Sequence, residues 1–271
     1  MVGKMTVRVP MLSSDDVQQI LNAHDGNVIF AQALDQIADP SSLLKMMSQF
    51  IEFNSVFAAG VANLAGQVAC RKEFFRDKND KIDVLADRSC DIAALIYFAA
   101  IDEFDRKKTH RSTAQNTLHA MSQFLGYDNN KINKLTDIVN NTRRTTEKVR
   151  QGYCLSRKPA ASDLFKGIGF HIGSEILAVE EFRILDSYLH TKHPAMVKYL
   201  QSSDSYQWIA VHPIVEEDHF QAALEAANLA LQYYKHNGQP KTWILEGLTN
   251  FAAVQTEFMS SLSRLISIRP D

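Results

Sequence analysis

Residues 212–219 read HPIVEEDH and run straight into FQAALEAANLALQYY. Apolar residues in the second run recur at three- and four-residue spacing, the period of a helix. Each helical residue turns about 100°, so Glu216 lies about 40° round from His212, and His219 about 20° to the other side. The three side chains share one face, and Glu217 and Asp218 point to water. Pro213 suits the first helical position, which puts His212 at the helix mouth. Imidazole and carboxylate at i, i+4 and i+7 form a half-site for a first-row transition metal. With oxygen and nitrogen donors mixed and thiolates absent, iron or manganese is more natural there than structural zinc. The other reading of these residues is an exposed polar first turn.

Two further segments add donors. In AAIDEFDRKKTHRSTAQ, Glu103 stands seven residues before His110, so both face one way if a helix continues between them. Asp102 and Asp105 are out of phase with His110. An acid ending an apolar run is either a helix terminus meeting solvent or a buried ligand. In FKGIGFHIGSEILAVEEFRILDSYLH, Gly167, Gly169 and Gly173 cluster within one predicted helix. Glycine costs about 1 kcal/mol there relative to alanine, so the cluster signals close approach of another helix or of a ligand. Glu175 sits amid Ile172, Ile176, Leu177 and Val179, where an unpartnered carboxylate is expensive to bury. His171 precedes it by one turn on the same face. Glu180 and Glu181 are expected to point outward, with Glu181 the fallback ligand; a polar seam between helices is the alternative setting for Glu175. Together Glu103, His110, Glu175, His212, Glu216 and His219 supply three carboxylates and three imidazoles, the set that a pair of iron ions in a bundle core requires.

The rest of the chain reads as helix. Its 271 residues are 45% hydrophobic, with 11 glycines, 7 prolines and almost no β-branched alternation. Ser13 and the acids after it read as a capped helix start. Pro40-Ser41-Ser42 opens a long segment reaching Ala69, with Phe50, Phe53 and Phe57 on one side; these rings, with Met46 and Met47, are core packing. RDKNDKID lacks the ligand and glycine that a calcium loop needs. Residues 129–153 read as a weak helix plus a mobile loop, and helices are expected over about 160–190, 212–234 and 241–268. The sum is all-α, one bundle of about seven to eight helices: an N-terminal extension, 1–24, and one domain, 25–271. A net charge of -2 with no basic stripe argues against nucleic acid as a partner. The N-terminus lacks a signal-type apolar core, and no apolar run is long enough to span a bilayer. Three scattered cysteines, without a Cys-x2-Cys pair, indicate neither a disulfide framework nor a thiolate zinc site, so a reducing cytoplasm is the expected location.

The three motifs in this order resemble the haem-oxygenase-like di-iron oxidase and oxygenase family, the group that includes the chlamydial protein associated with death domains and cyanobacterial proteins of similar sequence. That family's signature is Glu-x6-His on one core helix, a lone Glu on a second, and His-x3-(Asp or Glu)-x2-His on a third. It is matched here by Glu103 and His110, by Glu175, and by His212, Glu216 and His219. The resemblance implies a TenA-like bundle holding two Fe ions, with manganese as a substitute and O2 as co-substrate. It implies oxidation or oxygenation of an amino acid, a fatty acid or a derivative, with a homodimer and an external electron donor as partners. One departure concerns the chlamydial member, which is thought to consume its own tyrosine and lysine. Here the first tyrosine is Tyr97, and the first lysine after Glu175 is Lys192. Two other classes compete. A metal-free thiaminase-type hydrolase of the same fold would need a nucleophilic cysteine, for which Cys154 is the candidate. A non-enzymatic metal-binding or interaction bundle would need only the ligands. A haem oxygenase proper would need an early proximal histidine, for which His24 stands.

Overall fold

The computed structural model describes residues 11–75, 81, 88–104, 108–155 and 158–267, without the side chain of Asp102. The described residues form α-helices and one short 3-10 turn, Lys72–Phe74, with no strand among them. In chain order the helices are α1 (Ser14–Leu21), α2 (Gly26–Asp35), α3 (Pro40–Asn54), α4 (Phe57–Ala69), α5 (Arg88–Glu103), α6 (His110–Phe124), α7 (Asn129–Leu135), α8 (Asn140–Gly152), α9 (Ala161–Lys192), α10 (Pro194–Ser202), α11 (Gln207–Tyr233) and α12 (Pro240–Ser267). None is long and apolar enough to cross a membrane.

The 32-residue α9 is the axis, about 48 Å long at helical rise. It packs against α12 on one side and α11 on another, with α2 and α4 completing its surround. The glycine cluster explains the first of these contacts. A methyl group on Gly169 would stand 1.8 Å from the carbonyl oxygen of Ile244, and one on Gly247 would stand 1.9 Å from that of Lys166. Backbone touches backbone at both points, so only glycine fits. Aromatic rings fill the interior beside this seam. Phe53 stacks on Phe258 at 4.0 Å, Phe30 on Phe50 at 5.3 Å, and Phe50 and Trp208 both reach Phe182. Met46 and Met47 are fully buried among them, as core residues.

Several boundaries differ from the sequence expectation. The segment 40–69 is two helices, broken between Asn54 and Phe57. The polar stretch 129–153 is also two helices. Their connection is fixed by buried Gln49, which donates to the Asp137 carbonyl at 2.9 Å and accepts from Val139 N–H at 3.1 Å. Glu103 and His110 do not share a helix: one ends α5 and the other opens α6, where the Thr109 hydroxyl caps Ser112 N–H. α11 begins at Gln207 rather than His212, which places Pro213 inside the helix and leaves the Ile209 carbonyl without its i+4 donor. The cap at Ser13 is as expected, a capping box with Asp16. Near it, Leu12 exchanges both backbone hydrogen bonds with Asn228 of α11, and Val17 is buried. Of RDKNDKID only Lys81 lies within the described residues, and Asp105 lies outside them.

Candidate metal centre

The six expected donors converge on one cavity in two groups. Glu175, Glu216 and His219, all buried, form an inner group, and Glu103, His110 and His212 an outer, partly exposed one. Within each group the donor atoms lie within 4.8 Å of one another. α11 contributes to both, because His212, Glu216 and His219 share a face, while Glu217 and Asp218 face solvent. Helix phase thus gives the α11 set, whereas a turn brings His110 back beside Glu103. His110 Nδ1 stands 3.2 Å from Glu103 Oε1.

In the inner group, His219 Nδ1 lies 3.1 Å from Glu216 Oε2 and 3.4 Å from Glu175 Oε2. Behind them, His171 Nδ1 is 3.0 Å from Glu175 Oε1, and Ser174 Oγ is 3.2 Å from the same oxygen. The buried Tyr153 hydroxyl is 2.7 Å from Ser174 Oγ. These contacts set the electrostatics. Burial opposes ionisation of Glu175, but the imidazoles of His171 and His219 hold its carboxyl well below the usual range. Burial and the Glu175 charge push Glu216 well above it. Burial would depress His219, but its hydrogen bonds to Glu175 and Glu216 outweigh that and push it up to about 11. Burial, and then the charge of Glu175, raise Tyr153 well above its ordinary value.

Two details suit metal ions specifically. His212 Nδ1 donates to the carbonyl oxygen of Trp208, one turn earlier on its own helix. Burial and neighbouring His110 hold His212 neutral, so its Nε2 carries a lone pair. That lone pair stands 3.8 Å from Glu216 Oε1. A tautomer fixed at Nδ1 by a backbone carbonyl, with Nε2 left free beside a carboxyl, is the arrangement of a metal-binding histidine and its supporting partner. Secondly, the buried Nδ1 of His110 makes no hydrogen bond among the described residues, although Glu103 is within reach. The donor set, carboxylate and imidazole without thiolate, fits iron or manganese.

The cavity holds about 60 Å³, room for several water-sized species. Its apolar wall includes Phe53, Phe57, Val61, Phe182 and Phe251, and Phe182 stacks on His212 at 4.0 Å. Contrary to expectation, Glu181 points inward and lines this cavity, 3% exposed, whereas Glu180 is exposed. Glu181 accepts from Gln255 Nε2 at 3.0 Å and joins neither donor group. His171 stands beside Glu175 as its spacing suggests, whereas Ser174, Tyr153 and Trp208 support the donors without being foreseen in that role. The available signal for Trp208 was spacing, four residues before His212. Cys154 is buried, with a φ of 56°, and borders a separate surface pocket with Lys148, Asp163 and Glu257. His24 borders another pocket. Neither lines the central cavity.

No protein-family model and no curated protein matches this chain. Among solved structures it is similar to a TenA homolog from Pseudomonas syringae pv. tomato. The two chains are 13% identical with a TM-score of 0.60, over 94% of this chain and 97% of that one. At that identity the likeness concerns architecture alone: this chain has the TenA-like, haem-oxygenase-like helical fold.

Proposed function

We propose that this chain is an O2-dependent non-haem di-iron oxidase or oxygenase acting on a small organic substrate. The observation that carries the reading is the convergence of two Glu/His groups on one apolar-walled cavity, with His212 Nε2 facing Glu216 across 3.8 Å. Iron bound there would supply activation of O2, with manganese as the substitute metal. The chain's own residues perform the remaining tasks. Trp208 holds the His212 tautomer, and His171 and Ser174 orient Glu175. Buried Phe182 keeps water from the face of His212. A hydrolase reading would place its nucleophile at Cys154, which borders a different pocket.

The test is metal analysis with anaerobic ferrous titration, followed by O2 exposure under stopped-flow absorbance. About two irons per chain, a transient absorbance band and substrate-stimulated O2 uptake are the expected results. Iron loading without O2 uptake on any amino-acid or fatty-acid substrate would favour a metal-holding bundle. Turnover without metal or O2, abolished by Cys154→Ser, would favour the hydrolase.

A further inference from the structure

We propose that Glu181 is the substrate anchor of the central cavity and that it receives an ammonium group, so that the substrate is an amine or amino acid rather than a fatty acid. Glu181 is 3% exposed, lines the cavity, and has no cation within ion-pair distance among the described residues. Its hydrogen-bond donor among the described residues is Gln255 Nε2, at 3.0 Å. The second N–H of that amide goes to Asn27 Oδ1 at 2.6 Å, so Gln255 has no further donor to offer and Glu181 receives from it a single hydrogen bond. The other end of the same amide is pressed against α2, where a methyl group on Gly26 would stand 1.6 Å from Gln255 Oε1. Gln255 is therefore packed closely against α2 while it donates to Glu181.

The open valence of this carboxyl calls for a donor from the cavity side. An alkylammonium carries three N–H donors and no acceptor, and its charge matches an ionised acid. A carboxylate ligand brings no donor and no charge to offset the ionised acid, and an alcohol offers a single neutral donor. Burial, with only partial relief from Gln255, lifts the Glu181 carboxyl to about 8, so an arriving cation has a buried acid to ionise. The helix also leaves space. Glu181 lies six residues beyond Glu175, about 9 Å along α9, and the cavity wall between them is the small side chain of Ala178. A short carbon chain tethered at Glu181 would lie over Ala178 toward the inner donor group. The only lysine or arginine among the lining residues is Arg111, which is exposed.

The oxidation of such a substrate rests on the proposed metal chemistry, but its binding does not. The test is therefore a binding measurement with propylammonium, propionate and 1-propanol as probes, by calorimetry at pH 7, with and without ferrous iron under anaerobic conditions. The wild-type protein is expected to prefer propylammonium by on the order of tenfold or more, the worth of one charged hydrogen bond. Glu181→Gln, which keeps the size and the Gln255 contact, is expected to bring the probes level. Repeating the wild-type titration in two buffers of different ionisation heat should show close to one proton released per ammonium bound, because the buried acid must ionise to form the pair. Equal affinity for propionate, an unchanged preference in the variant, or no proton release would overturn the proposal and leave Glu181 as a structural link to Gln255 and Asn27. The proton count decides the matter even if the variant fails to fold. Failure to load iron, with the amine preference intact, would remove the di-iron reading and leave the anchor standing.

Discussion

Replacing His219 by alanine removes the one nitrogen donor of the inner group and leaves Glu175 and Glu216 facing the gap. In the intact protein the imidazole stands 3.1 Å from one carboxylate and 3.4 Å from the other. Breaking a buried ion pair costs roughly 3–5 kcal/mol, so the metal-free variant should be less stable by about that amount. A larger signal comes from metal. A ligand present at 100 times its dissociation constant stabilises the folded state by about 2.7 kcal/mol per site. At about 2–4 °C per kcal/mol for a chain somewhat smaller than this one, each ferrous ion raises Tm by roughly 5–10 °C. Wild type should therefore gain roughly 10–20 °C on anaerobic loading, and His219→Ala about half of that, with iron content falling from about two to about one per chain. Asp218→Ala, at the exposed neighbour, is the control and should match wild type. Differential scanning fluorimetry and metal analysis read both quantities. If His219→Ala kept two irons and the full shift, the ligand assignment would be wrong.

Three further outcomes follow from packing and charge. Gly169→Ala should lower stability by at least about 1–3 kcal/mol in urea unfolding, because its methyl group would collide with the Ile244 carbonyl and not with a movable side chain. Gly66→Ala, with nothing within 4 Å among the described residues on the exposed face of α4, should instead raise it by about 0.5–1 kcal/mol. For Glu181, the folded carboxyl titrates near 8 and the unfolded one near 4.5. Between those values the unfolded chain sheds its proton first, so wild-type stability falls as pH rises. Glu181→Gln should escape this loss, matching wild type near pH 4 and exceeding it by several kcal/mol at pH 8, at about 1.4 kcal/mol per unit. Equal urea midpoints for the two proteins at pH 8 would contradict the burial argument.

The helical period and the glycine cluster are enough to read the all-α class and the close approach of another helix to α9. Within α11 the i, i+4, i+7 rule places His212, Glu216 and His219 on one face, because the helix is continuous through them. The rule does not show that Glu103 and His110 meet across a turn, since a seven-residue spacing reads the same whether the helix continues or stops. Pro213 misleads for a related reason: it is common at helix starts, yet a longer helix can accommodate it where only one carbonyl, that of Ile209, loses its donor. Glu181 escapes the sequence rules because amphipathicity fails on a helix covered on nearly every side. With α2, α11 and α12 packed around α9, an azimuth turned away from one neighbour meets another, not water.

The glycine contacts between α9 and α12 also determine where this molecule can breathe. At Gly169 and Gly247 one main chain rests on another, with no side chain between them to rotate or compress. Sliding or tilting of the pair would drive peptide into peptide, so α9 and α12 behave as a keel. The cavity wall opposite is of another kind: Asn54, Ser55 and Phe57 belong to the break between α3 and α4, where helical hydrogen bonding is already interrupted. Amide exchange should be slowest along the keel and fastest at that break, and a substrate larger than the 60 Å³ now enclosed would gain its room there.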